Sequence, residues 1–375
     1  MEQKILARGF EAIGWGALAA DCQLFAGCPT SPEDEIFTYL AQEFPKNGRH
    51  FVRASSEVSA INIAYGSTSA GGRVMVVVAS AGWGLIQETM SHLVNAFLPV
   101  VVVLIQRGGP GAGSLRHAQM DYLPITRDAG QGNYRVISLA PSSVQETYDL
   151  MQLAFHLADK WRNPVIVATD TIIIRMMEPL TLKTIKLGPP LPEKDWIVKG
   201  KEHQTDGIRR FISSGQGFIP TRDFSTYLHF LKGLNEKVLR MRETEARYES
   251  YELEDAEIVL VAYGYSARVC QEALMMARAE GIKAGLMRPV TLWPFPGDVL
   301  KKKALKGAKF LTVEDGLEGL REDVMLAVEG QAEIEWVNVL DRNESGAGGA
   351  IYPGKVLEKM RKLLKGKVKV IKKGR

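Results

Sequence analysis

The sequence predicts an α/β protein: a doubly wound sheet in the first half, then a second, smaller α/β unit. Three observations carry this. Short apolar runs, RVMVVVA at 73–79 and PVVVVLI at 99–105, have the unbroken hydrophobicity of parallel strands covered on both faces. Each runs into small residues and then into a stretch of helical periodicity. The strand–loop–helix unit recurs through the first half and starts again at Ala256. With 375 residues, 46% of them hydrophobic, the chain is long enough for two cores.

Taken in order, Phe10–Ala20 is small and apolar, a helix packed closely against a neighbour. Leu24–Gly27 is a short buried strand. The prolines in Cys28-Pro29-Thr30-Ser31-Pro32 force an extended turn at its C-terminal end, and an amphipathic stretch, Glu33–Phe44, follows. In Phe51–Gly66 (FVRASSEVSAINIAYG), Ser55 or Ser56 can cap a helix whose first turn holds one carboxylate, Glu57. Ala60, Ile61 and Ala64 continue the face of Glu57 at +3, +4 and +7. Ser80–Gly84 reads as a loop, Leu85–Phe97 as a helix, and Pro99–Ile105 as a strand ending in Gln106-Arg107-Gly108-Gly109-Pro110-Gly111-Ala112-Gly113. Val136–Leu139, a helix over Ser142–Trp161 and Pro164–Thr169 complete a first domain of residues 1–180. Residues 181–254 read as a connecting segment, Pro- and Gly-rich and lying over a surface before a charged helical stretch at Phe224–Tyr251. Residues 255–375 form the second domain. Its expected elements are a strand in EIVLVAYG, a helix at Arg268–Glu280, strands at Lys283–Met287 and Lys309–Val313, and a helix at Leu320–Val328.

Ligands of doubly wound sheets lie at the C-terminal strand ends. The segments Pro29–Pro32, Ser80–Gly84 and Arg107–Gly113 are therefore expected on one rim. If the Glu57 face packs inward, the carboxylate goes with it; the commoner outcome for a first-turn Glu is a solvated acid beside the helix dipole. Arg107 is delivered by a buried strand into glycines, where a guanidinium can grip a carboxylate or tie down its own loop. Arg116 and His117 either reach the same pocket or face solvent.

Other classes lack support. The three cysteines (Cys22, Cys28, Cys270) show no CxxC, the six histidines show no HExxH or HxxxH pair, and no metal site is expected on this chain. No GxxxxGK[ST] is present. Gly14–Ala19 (GWGALA) matches GxGxxA, but helical residues precede it, so close helix packing is favoured over a nicotinamide-dependent oxidoreductase. The net charge of +4 is too small to argue for nucleic acid. It gathers at Lys355–Arg375, read as a solvated helix face and basic tail, with a docking surface for an acidic protein as the alternative. No signal peptide and no apolar run of ~18 residues is found, so no membrane is expected and a cytoplasmic location is the default.

Together, FAGCPTSPEDEI, FVRASSEVSAINIAYGSTSAGGRVM, QRGGPGAG and VAYGYSARVCQEALMMARAEGIKAGLMRPVTLWPFP resemble the alpha subunit of the 2-oxoacid:ferredoxin oxidoreductases, nearest the branched-chain (3-methyl-2-oxobutanoate) branch. The resemblance covers most of residues 8–180 and 255–330. It implies a thiamine-pyrimidine-type first domain, a transketolase C-terminal-like second domain, and a thiamine diphosphate site shared with a partner subunit. Glu57 matches the family's Glu at the pyrimidine ring nitrogen, and Arg107 the residue holding the substrate carboxylate. Ser31 replaces the family's Thr beside cofactor and substrate, with Pro29 next to it; Thr30, Gly108, Gly109, Arg116 and His117 fall at the substrate pocket. The activity implied is oxidative decarboxylation of a 2-oxoacid to acyl-coenzyme A and CO2, with electrons passed to ferredoxin. Mg2+ and [4Fe-4S] clusters are implied on beta, gamma and cluster-bearing partners. The family's GDG pattern for magnesium diphosphate is approached only by Glu314-Asp315-Gly316, a chance match. Cys28, Thr30, Ser31, the added bulk of Ala81-Gly82-Trp83-Gly84 and SLRHAQMDY depart from the family pattern and bear on substrate identity, not on the cofactor; the Ser31 and Trp83 loops motivate a non-catalytic structural subunit as the alternative, against which Glu57 and Arg107 stand.

Overall fold

The computed structural model describes residues 3–29, 34–111, 113–127, 129–200, 212–215, 224–342 and 349–365. The first half contains β1 (Gln3–Arg8), α1 (Gly9–Ala19), β2 (Leu24–Gly27), α2 (Asp34–Lys46), β3 (His50–Arg53), α3 (Glu57–Ser69), β4 (Val74–Ala79) and α4 (Ser80–Asn95). It continues with β5 (Val101–Gly108), β6 (Ser114–His117), α5 (Tyr122–Thr126), β7 (Ile137–Leu139), α6 (Val144–Trp161), β8 (Val165–Asp170), α7 (Thr171–Arg175) and β9 (Met177–Leu182). The second half contains α8 (Phe224–Thr244), β10 (Tyr248–Tyr251), β11 (Ile258–Ala262), α9 (Gly264–Ala279), β12 (Ala284–Pro289), β13 (Thr291–Trp293) and α10 (Gly297–Ala304). β14 (Lys309–Val313), α11 (Gly319–Val328), β15 (Ile334–Val337) and α12 (Pro353–Leu364) close it.

The larger sheet has the order β13-β7-β8-β5-β4-β2-β3, with β6 paired antiparallel to β5. From β7 to β3 its strands are parallel. Every residue of β4, β5 and β8 is buried, as apolar strands with helices on both faces require. The smaller sheet has the order β10-β12-β11-β14-β15 and is parallel except for β10. The fold is thus the expected α/β, doubly wound class. One feature was not legible beforehand: β13, from the second half, joins the first sheet antiparallel to β7. Three residues hemmed by prolines carry too little periodicity to read as a strand. A single apolar cluster also crosses the halves, linking Ile61, Trp83 and Ile86 through Tyr122 to Val261, Phe310 and Leu320.

Local chemistry explains the elements that matter. Ser56 caps α3, its hydroxyl accepting the Ser59 N–H at 3.1 Å. In α1, a Cβ on Gly14 would lie 2.8 Å from the Tyr39 ring, and one on Gly16 would lie 2.7 Å from Met151 Cβ. The GWGALA glycines therefore serve helix packing within α1, not a strand-to-helix loop. Ser80–Gly84, expected as a loop, is instead the first turn of α4. Glycine suggested a loop, but Gly82 is small because another side chain presses on it. Trp83 adds no bulk to a pocket: it is buried, and its indole N–H donates to the Pro124 carbonyl at 3.1 Å. Beyond β9, residues 183–200 lie irregularly over the first unit, with the Val198 N–H on the Ser69 carbonyl at 3.0 Å and Arg162 over the Trp196 ring at 4.4 Å.

Candidate active site

The chain lays β3 on one side of β2 and then crosses to place β4 on the other. A crevice opens at such a reversal, outside the C-terminal strand ends. Cys28 and Pro29 follow β2, Glu57 opens α3 after β3, Ser80 follows β4, and Arg107 and Gly108 end β5 rather than starting a loop. Four connections thus reach one rim. Thr30 and Ser31 lie outside the described residues, and Pro29 is half-buried.

Glu57 is half-buried at the first position of α3. Its side chain lies along the opening turn of α4: a Cβ on Gly82 would sit 2.8 Å from Glu57 Cγ and 3.2 Å from Oε1. Behind it Ala60, Ile61 and Ala64 are buried. The side chain is thus packed against the first turn of α4 and partly withdrawn from water.

Arg107 is 8% exposed, and its Nε is buried without a hydrogen-bond partner. Among the described residues its guanidinium makes no ion pair. Its backbone N–H donates to Ser80 Oγ at 2.9 Å, and the Ser80 hydroxyl donates a short hydrogen bond to the Asp121 carboxylate. Burial pushes the Asp121 carboxyl up to about 6, against the Ser80 hydroxyl and the Arg107 backbone and guanidinium, which lower it. Gly109 donates its N–H to Met120 Sδ at 3.1 Å, and a Cβ added there would meet open space. Gly113 has a φ of +49°, and a side chain there would collide with the Gly108 carbonyl, so the loop closes only with glycine.

Arg116 is exposed. His117 turns away from Arg107's rim toward the second half: its ring meets Tyr265 edge-on at 5.4 Å, and its Nε2 is 3.7 Å from Asp315. Desolvation lowers its pKa, partly offset by Asp315. Its carbonyl accepts from the Arg342 guanidinium at 2.6 Å, and Arg342 also pairs with Asp315. The Glu314-Asp315-Gly316 segment is consumed within this joint: Glu314 accepts the Leu320 N–H at 2.9 Å and the Arg321 N–H at 3.2 Å. Sequence reasoning missed Ser80's bridging role, Asp121 and Gly82. The signal for Ser80 was a hydroxyl residue directly after a buried strand; Asp121 sits in no recognisable pattern.

An α/β chain whose switch point gathers a half-buried carboxylate and a buried arginine with no ion pair among the described residues has the layout of an enzyme subunit. The family described as "Pyruvate flavodoxin/ferredoxin oxidoreductase, thiamine diP-bdg" matches residues 15–246, and "Pyruvate:ferredoxin oxidoreductase core domain II" matches residues 256–371. The chain belongs to the 2-oxoacid:ferredoxin oxidoreductase family. It is 42% identical over 358 residues to the ketoisovalerate oxidoreductase subunit VorB of Methanothermobacter thermautotrophicus, covering 96% of this chain and 97% of that one. It is 32% identical over 354 residues to the 2-oxoglutarate synthase subunit KorA of the same organism, covering 89% and 94%. Its fold matches that of a 2-oxoglutarate:ferredoxin oxidoreductase from Magnetococcus marinus, solved with 2-oxoglutarate, coenzyme A and succinyl-CoA bound. That likeness has a TM-score of 0.81 at 21% identity, over 96% of this chain and 65% of the other.

Thiamine diphosphate is the cofactor this domain type binds. The rim has room for a ligand beside a half-buried carboxylate: Gly84 and Gly109 leave open space where side chains would stand. No helix among the described residues is long and apolar enough to cross a membrane.

Proposed function

We propose that this chain supplies the pyrimidine-facing half of a split thiamine diphosphate site in an enzyme that converts a 2-oxoacid and coenzyme A to acyl-coenzyme A and CO2. Two electrons leave for ferredoxin. The observation that carries the reading is Arg107, buried at the rim with its Nε unpartnered and with no ion pair among the described residues, the Asp121 carboxylate that feels its charge being engaged by Ser80. Burying a guanidinium alone costs several kcal/mol, on the order of the penalty for an unpaired buried ion. Such an arrangement persists where a ligand carboxylate completes it. The guanidinium offers a planar pair of N–H donors, which would orient a 2-oxoacid by its carboxylate.

Glu57 would hold the pyrimidine ring, setting a proton at the ring nitrogen it faces; Pro29 and Ser31 would flank the cofactor. When bound, thiamine diphosphate supplies the nucleophilic carbon and the electron sink for decarboxylation. The apolar wall behind Glu57 lowers the local dielectric and strengthens its hydrogen bond. Thr30, Gly108 and Gly109 would line the substrate pocket. Arg116 is assigned to the pocket mouth; His117, expected at the pocket from the sequence, is turned toward Tyr265 and Asp315 instead.

The diphosphate and Mg2+ ligands are assigned to a beta subunit, and [4Fe-4S] clusters to gamma and cluster-bearing partners, because three scattered cysteines cannot hold a four-ligand cluster. The working assembly is placed in the cytoplasm. A branched-chain 2-oxoacid is the favoured substrate, supported by 42% identity to a ketoisovalerate oxidoreductase subunit against 32% to a 2-oxoglutarate synthase subunit. The test is co-purification with the native partners and a 2-oxoacid panel with a viologen dye. Reduction that needs coenzyme A and runs fastest with 3-methyl-2-oxobutanoate is expected. Turnover by the isolated chain would overturn the split site.

A further inference from the structure

We propose that Asp121 is a positioning residue: through the Ser80 hydroxyl it locks the end of β5 to the first turn of α4 and so holds Arg107 and Glu57 in one register. The inference rests on the reading of Arg107 as the anchor for the substrate carboxylate.

The hydroxyl of Ser80 has one proton. It goes to Asp121, an acceptor in its ionised form, which leaves a lone pair of Ser80 Oγ aimed at the Arg107 N–H, 2.9 Å away. A hydroxyl in open surroundings rotates; one held by a buried carboxylate does not. Ser80 and Asp121 are 41 positions apart in the chain, and Ser80 and Arg107 27, so the bridge joins three separate segments. Ser80 is also the first residue of α4, and Gly82, two positions on, is the surface against which the Glu57 side chain lies. Any shift of that turn moves the wall of one functional group and the tether of the other together.

Asp121 is itself anchored. It precedes α5, where the Tyr122 hydroxyl donates to Asp323 Oδ2 of α11 at 2.7 Å and Arg127 pairs with the same carboxylate at 2.8 Å. The second unit thereby fixes the residue that fixes the rim. Asp121 is no substitute for a ligand carboxylate: it makes no ion pair with Arg107, and its oxygen is taken by Ser80.

The experiment compares Asp121→Ala, Asp121→Asn, Ser80→Ala and Arg107→Ala in the complex purified with its native partners, reading KM and kcat for the best 2-oxoacid and the thermal midpoint. Asp121→Ala and Ser80→Ala are expected to raise KM about tenfold, the scale of one lost buried hydrogen bond. kcat should fall as well, but by less than KM rises, because Ser80 tethers Arg107 directly and backs Glu57 only through the turn that carries Gly82. Asp121→Asn keeps an oxygen for the Ser80 hydroxyl and should restore most of the lost KM. Wild-type KM in both Asp121→Ala and Ser80→Ala, with KM raised in Arg107→Ala, would overturn the inference and leave the Arg107 reading standing. Wild-type KM in Arg107→Ala would overturn that reading itself. If Asp121→Ala fails to assemble, Ser80→Ala and the Asn variant decide: equal loss in Asp121→Asn and Ser80→Ala would rule out the hydroxyl bridge.

Discussion

Two buried arginines of this chain meet opposite fates. Arg288, on β12, is 1% exposed and lies between two carboxylates, Glu146 of α6 at 2.6 Å and Glu249 of β10 at 2.9 Å. Arg107, on β5, is 8% exposed and makes no ion pair among the described residues. The joint around Arg288 is closed in the same way elsewhere. Gln119, between the halves, donates its backbone N–H to the Asp315 carbonyl and its side-chain N–H to the Tyr263 carbonyl, while its amide oxygen accepts from the Ser266 hydroxyl and the Asp315 N–H, at 2.7–2.9 Å. A buried charge neutralised by its own chain is architecture; a buried charge left over is a place for a ligand. Burial alone does not mark a site.

The comparison can be broken by substitution, starting at the rim. Glu57→Gln should cost turnover a hundredfold or more, the scale of a lost proton-handling group, while partners still co-elute on size exclusion. Normal viologen reduction would remove Glu57 from the chemistry. Arg288→Ala should cost about 3–5 kcal/mol of stability, because two carboxylates lose their shared cation; chemical denaturation reads this, and KM for the 2-oxoacid should not move. Arg107→Ala should do the reverse, raising KM by about 2–4 kcal/mol in binding terms with little change in the denaturation midpoint. If both variants lowered stability and left KM alone, the two arginines would be the same kind of residue.

Gly82→Ala is a finer test. The added methyl would be 2.8 Å from Glu57 Cγ, so the carboxylate must move while the helix gains roughly 0.5–1 kcal/mol of propensity. Turnover should fall about tenfold, the effect of a misplacement of about 1 Å or less, in a protein at least as stable as before. The smallest effect concerns pH at the joint. Burial raises Glu314 to about 7 and Asp170 to about 6. The folded state holds these protons more tightly than the unfolded chain, so their contribution is complete below about pH 4 and is lost as pH rises through 6 to 7. Glu314→Gln should flatten the fall in urea midpoint between pH 5 and pH 8; an unchanged slope would show that Glu314 does not carry it.

Much of this was legible in the residues. Leu24–Gly27 and Lys309–Val313 were bounded as they stand, since turn residues flank short apolar runs. Glu57's place followed from Ser56 and from Ala60, Ile61 and Ala64 at helical spacing. Burial of Arg107 followed from the apolar strand before it. What escaped was long-range or weakly patterned. β1 and β9 pair as a ribbon with exposed Leu6 and Met177, so no strict alternation announced them. Ser80's partners lie far along the chain, and no local spacing encodes a bridge of that kind. Gly82 of α4 misled because its smallness answers Glu57, a neighbour visible only once the helices pack.

The short strand Thr291–Trp293 has one more consequence. It seals the open border of the larger sheet with backbone from far downstream, stitching the units into one fabric. Swinging them apart would strip β7 of its neighbour and bare a row of unpaired amides and carbonyls. A clamshell motion between the halves therefore carries the cost of breaking this pairing.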